Sequence, residues 1–368
     1  MKTIRRLIFG EVLSAVGFIT LCFLSLFFFF DIVEEIQSIG RLGADQYQLT
    51  QALSFVALMI PSHLYELLPI AVLIGTIFVM ARFAESSQYT ILRTSGLGPW
   101  RALKTLLWLG AGFVLLTFVL GDYISPAADR AGQLLKARYQ GLITVGHTGA
   151  WLKEKQPYSQ YAVNINALES DGSMRGVRIF EFDNQGFLIS MMQAESALHG
   201  PDDAWRLKRV LRTEFPARNA DQQRIDRNEV NDFRWPNEIS AEMVSAALLK
   251  PERMSTYDLF QYIRHLDANR QSAQRYEIEF WKKVFYPLSC LVMVVLALPF
   301  AYLHFRSGGI AGYVFGGVMA GISFFLLNNV FGYIGNLQNW QPWLTAALPG
   351  LIYLLLSLTA FGWLVLRR

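Results

Sequence analysis

The chain has 368 residues, of which 53% are hydrophobic and only 17% are charged, a balance too apolar for an average soluble domain. Its formal net charge of +4 is small, so the composition does not point to a nucleic-acid partner. The two cysteines, Cys22 and Cys290, lie inside apolar runs. Their placement argues against a structural disulfide and against a zinc site.

Six apolar runs are long enough to cross a bilayer, which takes about 20 residues. These predicted spans are Leu7–Phe30, Phe55–Met80, Ala102–Leu120, Val284–Leu303, Ile310–Ile334 and Leu344–Leu366. The first run exceeds the core of a signal peptide and no A-x-A site follows it, so we expect a retained membrane helix.

Ten basic residues at the termini and in the loops between spans two and three and between spans four and five fall on one side if the chain crosses six times. They are Lys2, Arg5, Arg6, Arg82, Arg93, Arg101, Lys104, Arg306, Arg367 and Arg368. The positive-inside rule then predicts that both termini are cytoplasmic and that the region from about Asp122 to Arg275 lies outside.

Span one runs into FFFFDIVEEIQSIG, and we expect its helix to continue through Asp31, Glu34 and Glu35. In span two, Pro61 and Pro69 are expected to kink or break the helix. His63 and Glu66 share a helix face there. A metal or proton site is one interpretation of that pair, but no further ligand is apparent nearby.

The inside stretch ARFAESSQYTILRTSGLGPWRALK predicts a short, capped helix between spans two and three. Ser87 suits the N-cap, Gly96 the left-handed position after the last turn, and Pro99 the start of the next helix. Arg93 lies in the last turn, where the helix dipole favours a cation. Such a helix is either a force-transmitting element or an ordinary loop.

After span three, ADRAGQLLKARYQG predicts a helical extension. One face carries Arg130 and Arg138, and another carries Lys136. Either basic face could meet an anionic ligand at the membrane edge, or could simply anchor the helix at the interface.

The outside region is predicted to be mainly β. YAVNI, VRIFEFD, GFLISM and WRLKRVLR alternate as strands, and Asn184-Gln185-Gly186 marks a hairpin turn. The polar stretch 215–231 is predicted to be loop, and 255–275 to be helical. The pattern predicts a sandwich or jelly roll of antiparallel strands. No G-x-S-x-G, H-E-x-x-H or phosphate-binding G-x-x-x-x-G-K-[ST] motif occurs, which argues against an enzyme.

The fold class is therefore an α+β membrane protein, with six transmembrane helices arranged 3+3 around an outside β domain. We expect residues 1–121 to hold helices one to three with a coupling helix at about 84–97. Residues 122–275 would form the outside domain with helical connectors, and residues 276–368 helices four to six.

Two stretches carry a family resemblance: IPSHLYELLPIAVLIGTIFVMARFAESSQYTILRTSGLGPWRAL and RYEIEFWKKVFYPLSCLVMVVLALPFAYLHFRSGG. With them, the whole chain resembles the lipopolysaccharide export permeases LptF and LptG. The stretch FFFFDIVEEIQSIG looks most like the LptG pattern.

The resemblance implies a non-catalytic permease subunit in the bacterial inner membrane, paired with an LptF-like subunit over an LptB ATPase dimer and joined by LptC. That complex would extract lipopolysaccharide and pass it to a periplasmic bridge, with the outside domain as a periplasmic jelly roll. The implied ATPase contacts are Glu85, Gln88, Tyr89, Leu92, Arg93 and Gly96. At Gln88 the family usually has a glutamate.

The implied lipid contacts are cations at the outer membrane edge, namely Lys136, Arg130, Arg138 and Arg41. Relatives also have lysines near the outer end of span one, where this chain has Asp31, Glu34 and Glu35. No cofactor or metal is expected. The alternatives are an LptF-type subunit, a permease for another lipid, a membrane-anchored periplasmic scaffold or sensor, and a membrane enzyme.

Overall fold

A computed structural model describes residues 2–39, 47–86, 88–140, 143–144, 150–156, 159–168, 173–200, 204–216, 224–237, 244, 251–302 and 310–363. Two predicted site residues, Arg41 and Ser87, lie outside these ranges. The chain divides into two compact units. The helical unit comprises Met1–Glu35, Val56–Asp129 and Gln274–Arg368, and the β unit comprises Ile36–Phe55 and Arg130–Ala273.

Helices dominate both ends of the chain. The first set is α1 (Lys2–Ile39), α2 (Leu49–Glu85), α3 (Gln88–Thr94), α4 (Pro99–Val119), a π-helical turn (Leu120–Ile124) and α5 (Ser125–Gln140). The second set is α6 (Thr256–Ala268), α7 (Gln274–Phe285), α8 (Ser289–Ala297), α9 (Ile310–Leu337) and α10 (Pro342–Phe361). Short 3-10 turns occupy Pro251–Arg253, Tyr286–Leu288 and Leu298–Tyr302.

Six helical segments of the described chain are long and apolar enough to cross a membrane, which confirms the prediction. They are Thr3–Gln37, Leu49–Glu85, Pro99–Lys136, Gln274–Tyr302, Ala311–Leu337 and Pro342–Phe361. The first continues through Asp31 and Glu35, as expected. Neither Pro61 nor Pro69 interrupts α2, so the predicted break is wrong. Neighbouring helices can compensate for the backbone bonds that prolines remove in a packed membrane helix.

The helical unit has one main apolar core, to which α1, α2, α3, α4 and α8 all contribute. Val12 of α1, Val72 of α2, Leu106 of α4 and Val294 of α8 are each at most 1% exposed. Gly75 lets α1 and α2 pack closely, because a Cβ there would lie 2.9 Å from the backbone nitrogen of Val16.

The C-terminus of α3 is closed by a glycine in the left-handed conformation. Gly96 has φ +96°, as the sequence predicts. The Leu97 amide donates to the Leu92 carbonyl at 3.0 Å, and the Gly96 amide to the Arg93 carbonyl at 3.1 Å. These two bonds make a Schellman motif, which satisfies carbonyls that the helix end would otherwise leave open. Helix α4 then begins at Pro99, also as predicted.

The β unit contains one antiparallel sheet. Its strands are β1 (Ile143–Thr144), β2 (Ala150–Lys155), β3 (Gln160–Leu168), β4 (Met174–Phe182), β5 (Leu188–His199), β6 (Ala204–Glu214) and β7 (Asp226–Pro236). Strands β3 to β7 pair in sequence order, and both β1 and β2 pair with β3. The four strands predicted from alternation are confirmed as β3, β4, β5 and β6, and the turn at Gly186 joins β4 to β5.

Strand β7 corrects the prediction of a loop through residue 231. It pairs with β6 from Glu214↔Asp226 to Ala204↔Pro236. Most of its side chains are exposed, so the polar sequence lacks the buried alternating face that identifies a strand. Backbone pairing with β6 determines the strand instead.

The sheet curls so that its far strands approach each other. The rings of Tyr161 on β3 and Trp235 on β7 have centroids 5.9 Å apart, although three strands separate them in the sheet. The side-chain amide of Gln156, just after β2, also donates to the carbonyl of Pro236 at 3.4 Å. Buried side chains such as Leu152, Ile165, Ile179 and Trp205 fill the interior.

Replacing Gly96 by Ala should loosen α3, because an L side chain in the left-handed region costs about 1–2 kcal/mol. We expect amides of Gln88–Leu97 to exchange with solvent hydrogen several-fold faster, measured by mass spectrometry on the full chain. Gly98→Ala is the matched control, since Gly98 has φ −66° and nothing lies within 4 Å of its added Cβ. Equal acceleration in both variants would contradict the role given to Gly96.

Candidate functional site

Helix α3 is fixed to the helical core through its inner face. Tyr89 is 4% exposed and Leu92 is 9% exposed, and both join the core formed by the spans. The Tyr89 ring meets the Tyr302 ring edge-on at 5.0 Å between centroids. Burial is the main cause that raises the pKa of the Tyr89 phenol, so this side chain stays neutral. Two of the predicted ATPase contacts therefore pack inside this chain.

The opposite face of α3 is open. Gln88 and Ile91 lie three residues apart in α3 and are exposed, with Ile91 63% exposed, and Glu85, the last residue of α2, is also exposed. The sequence interpretation included Glu85 and Gln88 but missed Ile91. The signal was available, because Ile91 falls on the helix face opposite Leu92 and Tyr89 in a helix that has one buried side.

Arg93 and Gly96 complete the predicted set at the C-terminal end of α3. The Arg93 guanidinium carbon lies 5.8 Å from the centroid of the Tyr302 ring, a cation–π contact that leaves the side chain exposed. The Gly96 carbonyl accepts a hydrogen bond from the Arg101 guanidinium at 3.0 Å. The end of α3 is thus connected to the first turn of α4 as well as to the core.

The predicted lipid contacts lie in the β unit, where two of them have identified partners. The Arg130 guanidinium pairs with the Asp258 carboxylate, which also caps α6 through Ser255. The Lys136 ammonium lies 4.6 Å from the centroid of the Phe55 ring. Arg41 and the side chain of Arg138 are outside the described part of the chain. Of the four predicted cations, the structure thus describes Arg130 and Lys136.

Toward the C-terminal end of α1 a carboxylate and an imidazole meet. The His63 Nε2 atom lies 2.7 Å from the Asp31 carboxylate, and the centroids of the tilted Phe27 and His63 rings are 4.9 Å apart. The sequence pattern paired His63 with Glu66 on one helix, whereas the structure pairs it with a residue 32 positions earlier. A contact between two helices has no signature in local spacing, so the sequence could not reveal it.

A buried lysine binds the π-helical turn after α4. Lys283 is 9% exposed, and its ammonium donates to the Gly121 carbonyl at 2.9 Å and lies 5.6 Å from the Tyr65 ring centroid. A π turn shifts the backbone hydrogen bonds by one residue, and a side chain can then bind a displaced carbonyl.

No group of three or more His, Cys, Asp or Glu side chains suited to a metal ion occurs in the residues that the structure describes. The features that stand out are therefore the open face of α3 and the cations of α5.

Comparison with known proteins gives a consistent result over nearly the full chain. The family model described as "Lipopolysaccharide export system permease LptF/LptG" matches residues 6–366. The chain is similar to the Escherichia coli K12 protein named lipopolysaccharide export system permease protein LptG, with 24% identity over 340 residues that cover 92% of this chain and 91% of that protein. The Haemophilus influenzae LptG is also 24% identical, over 371 residues that cover 100% and 99%. This chain belongs to the LptF/LptG family of lipopolysaccharide export system permeases.

Proposed function

We propose that this chain is the LptG-type permease subunit of an inner-membrane transporter that extracts lipopolysaccharide with energy from a partner ATPase. The family match carries the permease assignment, and the LptG names of the relatives favour that branch over LptF. The termini would face the cytoplasm and the β unit the periplasm, in agreement with the distribution of basic residues.

An LptF-like second permease would pack beside the chain. The most apolar stretches of α1 and α9 are each only 17% buried within this chain, against 83% for α2. Helices with so little contact inside their own chain are suited to face another subunit or lipid. We infer that lipopolysaccharide enters between the two permeases beside these helices, and that LptC joins them there.

An LptB-type ATPase dimer would dock on α3. The open face at Gln88 and Ile91 offers an apolar anchor with a polar neighbour, which suits a protein contact. Glu85 and Arg93 would form the charged edge of that contact. Tyr89, Leu92 and Gly96 would act by holding α3 rigidly to the spans, so that movement of the ATPase is passed to the core.

Cations at the outer membrane edge would bind the phosphates of lipid A. Lys136 is the first candidate because it lies at the end of the third apolar helical segment, and Arg130 is the second candidate. Arg138 and Arg41 would extend the same basic surface. The antiparallel sheet between residues 122 and 275 would form the jelly roll that passes lipid to a periplasmic bridge.

Ile91→Glu should remove the ATPase from the purified complex. A carboxylate in a buried contact is costly, so we expect co-purifying ATPase to fall about ten-fold or more after affinity isolation from detergent. Ile91→Leu is the matched control and should retain the partner. Because Ile91 is exposed in this chain, neither change should shift thermal unfolding by more than about 2 °C.

Retention of the ATPase by Ile91→Glu, with the chain folded, would show that α3 is not the docking surface. Isolation of the wild-type chain without any nucleotide-hydrolysing partner would contradict the exporter assignment itself.

Lys136→Gln should weaken lipopolysaccharide binding by about ten-fold, since a hydrogen bond to a charged group contributes about 1.5–3 kcal/mol. Bound lipopolysaccharide is measured by immunoblot of the purified complex. Lys208→Gln removes the same charge from an exposed position on β6 and should leave binding unchanged. An equal loss in both variants would indicate a general charge effect instead of a site at Lys136.

A further inference from the structure

A basic cleft opens between α1 and α4, beside the C-terminal end of α3. It has a volume of about 360 Å³ and is lined by Ile4, Arg5, Leu97, Arg101, Lys104, Thr105 and Trp108. All of these residues belong to the helical unit. The volume lies within the range of small-ligand sites, which is about 300–1,000 Å³.

The cleft follows from helical spacing. Arg101, Lys104, Thr105 and Trp108 are at i, i+3, i+4 and i+7 of α4, so they share one face. Arg5 of α1 contributes a third cation from the other side. Its guanidinium carbon lies 5.7 Å from the centroid of the Phe9 ring, which helps to hold it in place.

The three cations have no carboxylate partner in the described part of the chain, where the ion pairs involve other residues. Arg101 is fixed by its hydrogen bond to the Gly96 carbonyl at 3.0 Å. Leu97, 1% exposed, belongs to the apolar side of the cleft. A cluster of uncompensated positive charge beside apolar walls favours an anionic ligand.

The cleft has a charged end, at Arg5, Arg101 and Lys104, and an apolar end, at Trp108. Trp108 follows Arg101 by seven residues, which places it about 10 Å further along the helix axis, into the span. Its side chain is 61% exposed. Aromatic side chains at this depth pack beside the glycerol and upper acyl region of lipids. Arginine and lysine side chains contact the lipid phosphates. A free ion would make no contact with the apolar end, whereas a lipid would occupy both ends.

We propose that this cleft binds one anionic glycerophospholipid of the inner leaflet, with its phosphodiester at Arg5, Arg101 and Lys104 and its acyl chain along Trp108. The assignment to the inner leaflet rests on the proposed orientation of the chain. The residues that line the cleft do not include Lys136, the proposed lipopolysaccharide contact.

The test counts lipids on the purified full chain, with any subunits that accompany it, by native mass spectrometry after incubation with phosphatidylglycerol or phosphatidylethanolamine. We expect preferential retention of phosphatidylglycerol. Arg5→Gln and Lys104→Gln should each reduce its retention about ten-fold, as loss of a charged hydrogen bond implies. Arg6→Gln removes the neighbouring charge outside the cleft and should change retention less than two-fold.

Four results would overturn the proposal. Equal loss in Arg6→Gln would indicate diffuse surface charge, and equal binding of phosphatidylethanolamine would exclude selection for net negative charge. Displacement of the lipid by millimolar inorganic phosphate would indicate a free-anion site. Loss of the co-purifying ATPase with unchanged lipid retention in the cleft variants would indicate a protein contact.

Failure of the exporter assignment remains distinguishable, because it appears as a missing ATPase in the wild-type preparation, where lipid retention is still measurable. A second readout tests the placement of the acyl chain. Phosphatidylglycerol with brominated acyl chains should quench tryptophan fluorescence in the wild type, and Trp108→Phe should remove part of that quenching. Unchanged quenching in Trp108→Phe would contradict the proposed lipid position.

Discussion

The packing of Tyr89 and Leu92 into the helical core is the contact on which the proposed coupling depends. Helix α3 has seven residues, too few for an isolated helix to be stable in water. Burial of an apolar side chain contributes about 1.5–3 kcal/mol, and here two side chains of α3 are buried against the spans. The Schellman motif at Gly96 and the Arg101 hydrogen bond then fix the end of the helix. The open face at Gln88 and Ile91 is consequently attached to the spans through a rigid connection.

Lys283 and His63 are polar residues within the spans that have identified partners. Lys283 binds the Gly121 carbonyl, and His63 lies against Asp31, so each polar group has a partner that reduces the cost of leaving water. These contacts join helices that are far apart in sequence. They restrict how the helices can slide, while α1 and α9 keep apolar surface for contacts outside the chain.

The sequence predicted the parts of the structure that depend on local pattern. Apolar run length identified the six spans, Gly96 and Pro99 identified the end of α3 and the start of α4, and alternation identified β3 to β6. Strand β7 was missed because an exposed edge strand has no apolar alternation. The sequence did not reveal the Asp31–His63 pair or the burial of Lys283. Both depend on how two helices are rotated where they meet, and the apolar periodicity of each helix gives no information about that rotation. Ile91 could have been found once one face of α3 was known to be buried.

The most direct measurement of the central claim is ATP-dependent release of lipopolysaccharide from the reconstituted complex with α3 cross-linked to the core. Tyr89→Cys and Tyr302→Cys, in a chain with Cys22 and Cys290 replaced by alanine, allow a reversible thiol cross-linker to join positions whose rings now meet at 5.0 Å. If α3 and the spans move as one body, cross-linking maintains or raises release relative to the reduced double variant, because the linker replaces the lost ring contact. Loss of release on cross-linking, with recovery on reduction, would show that α3 must move against the core and would contradict the account.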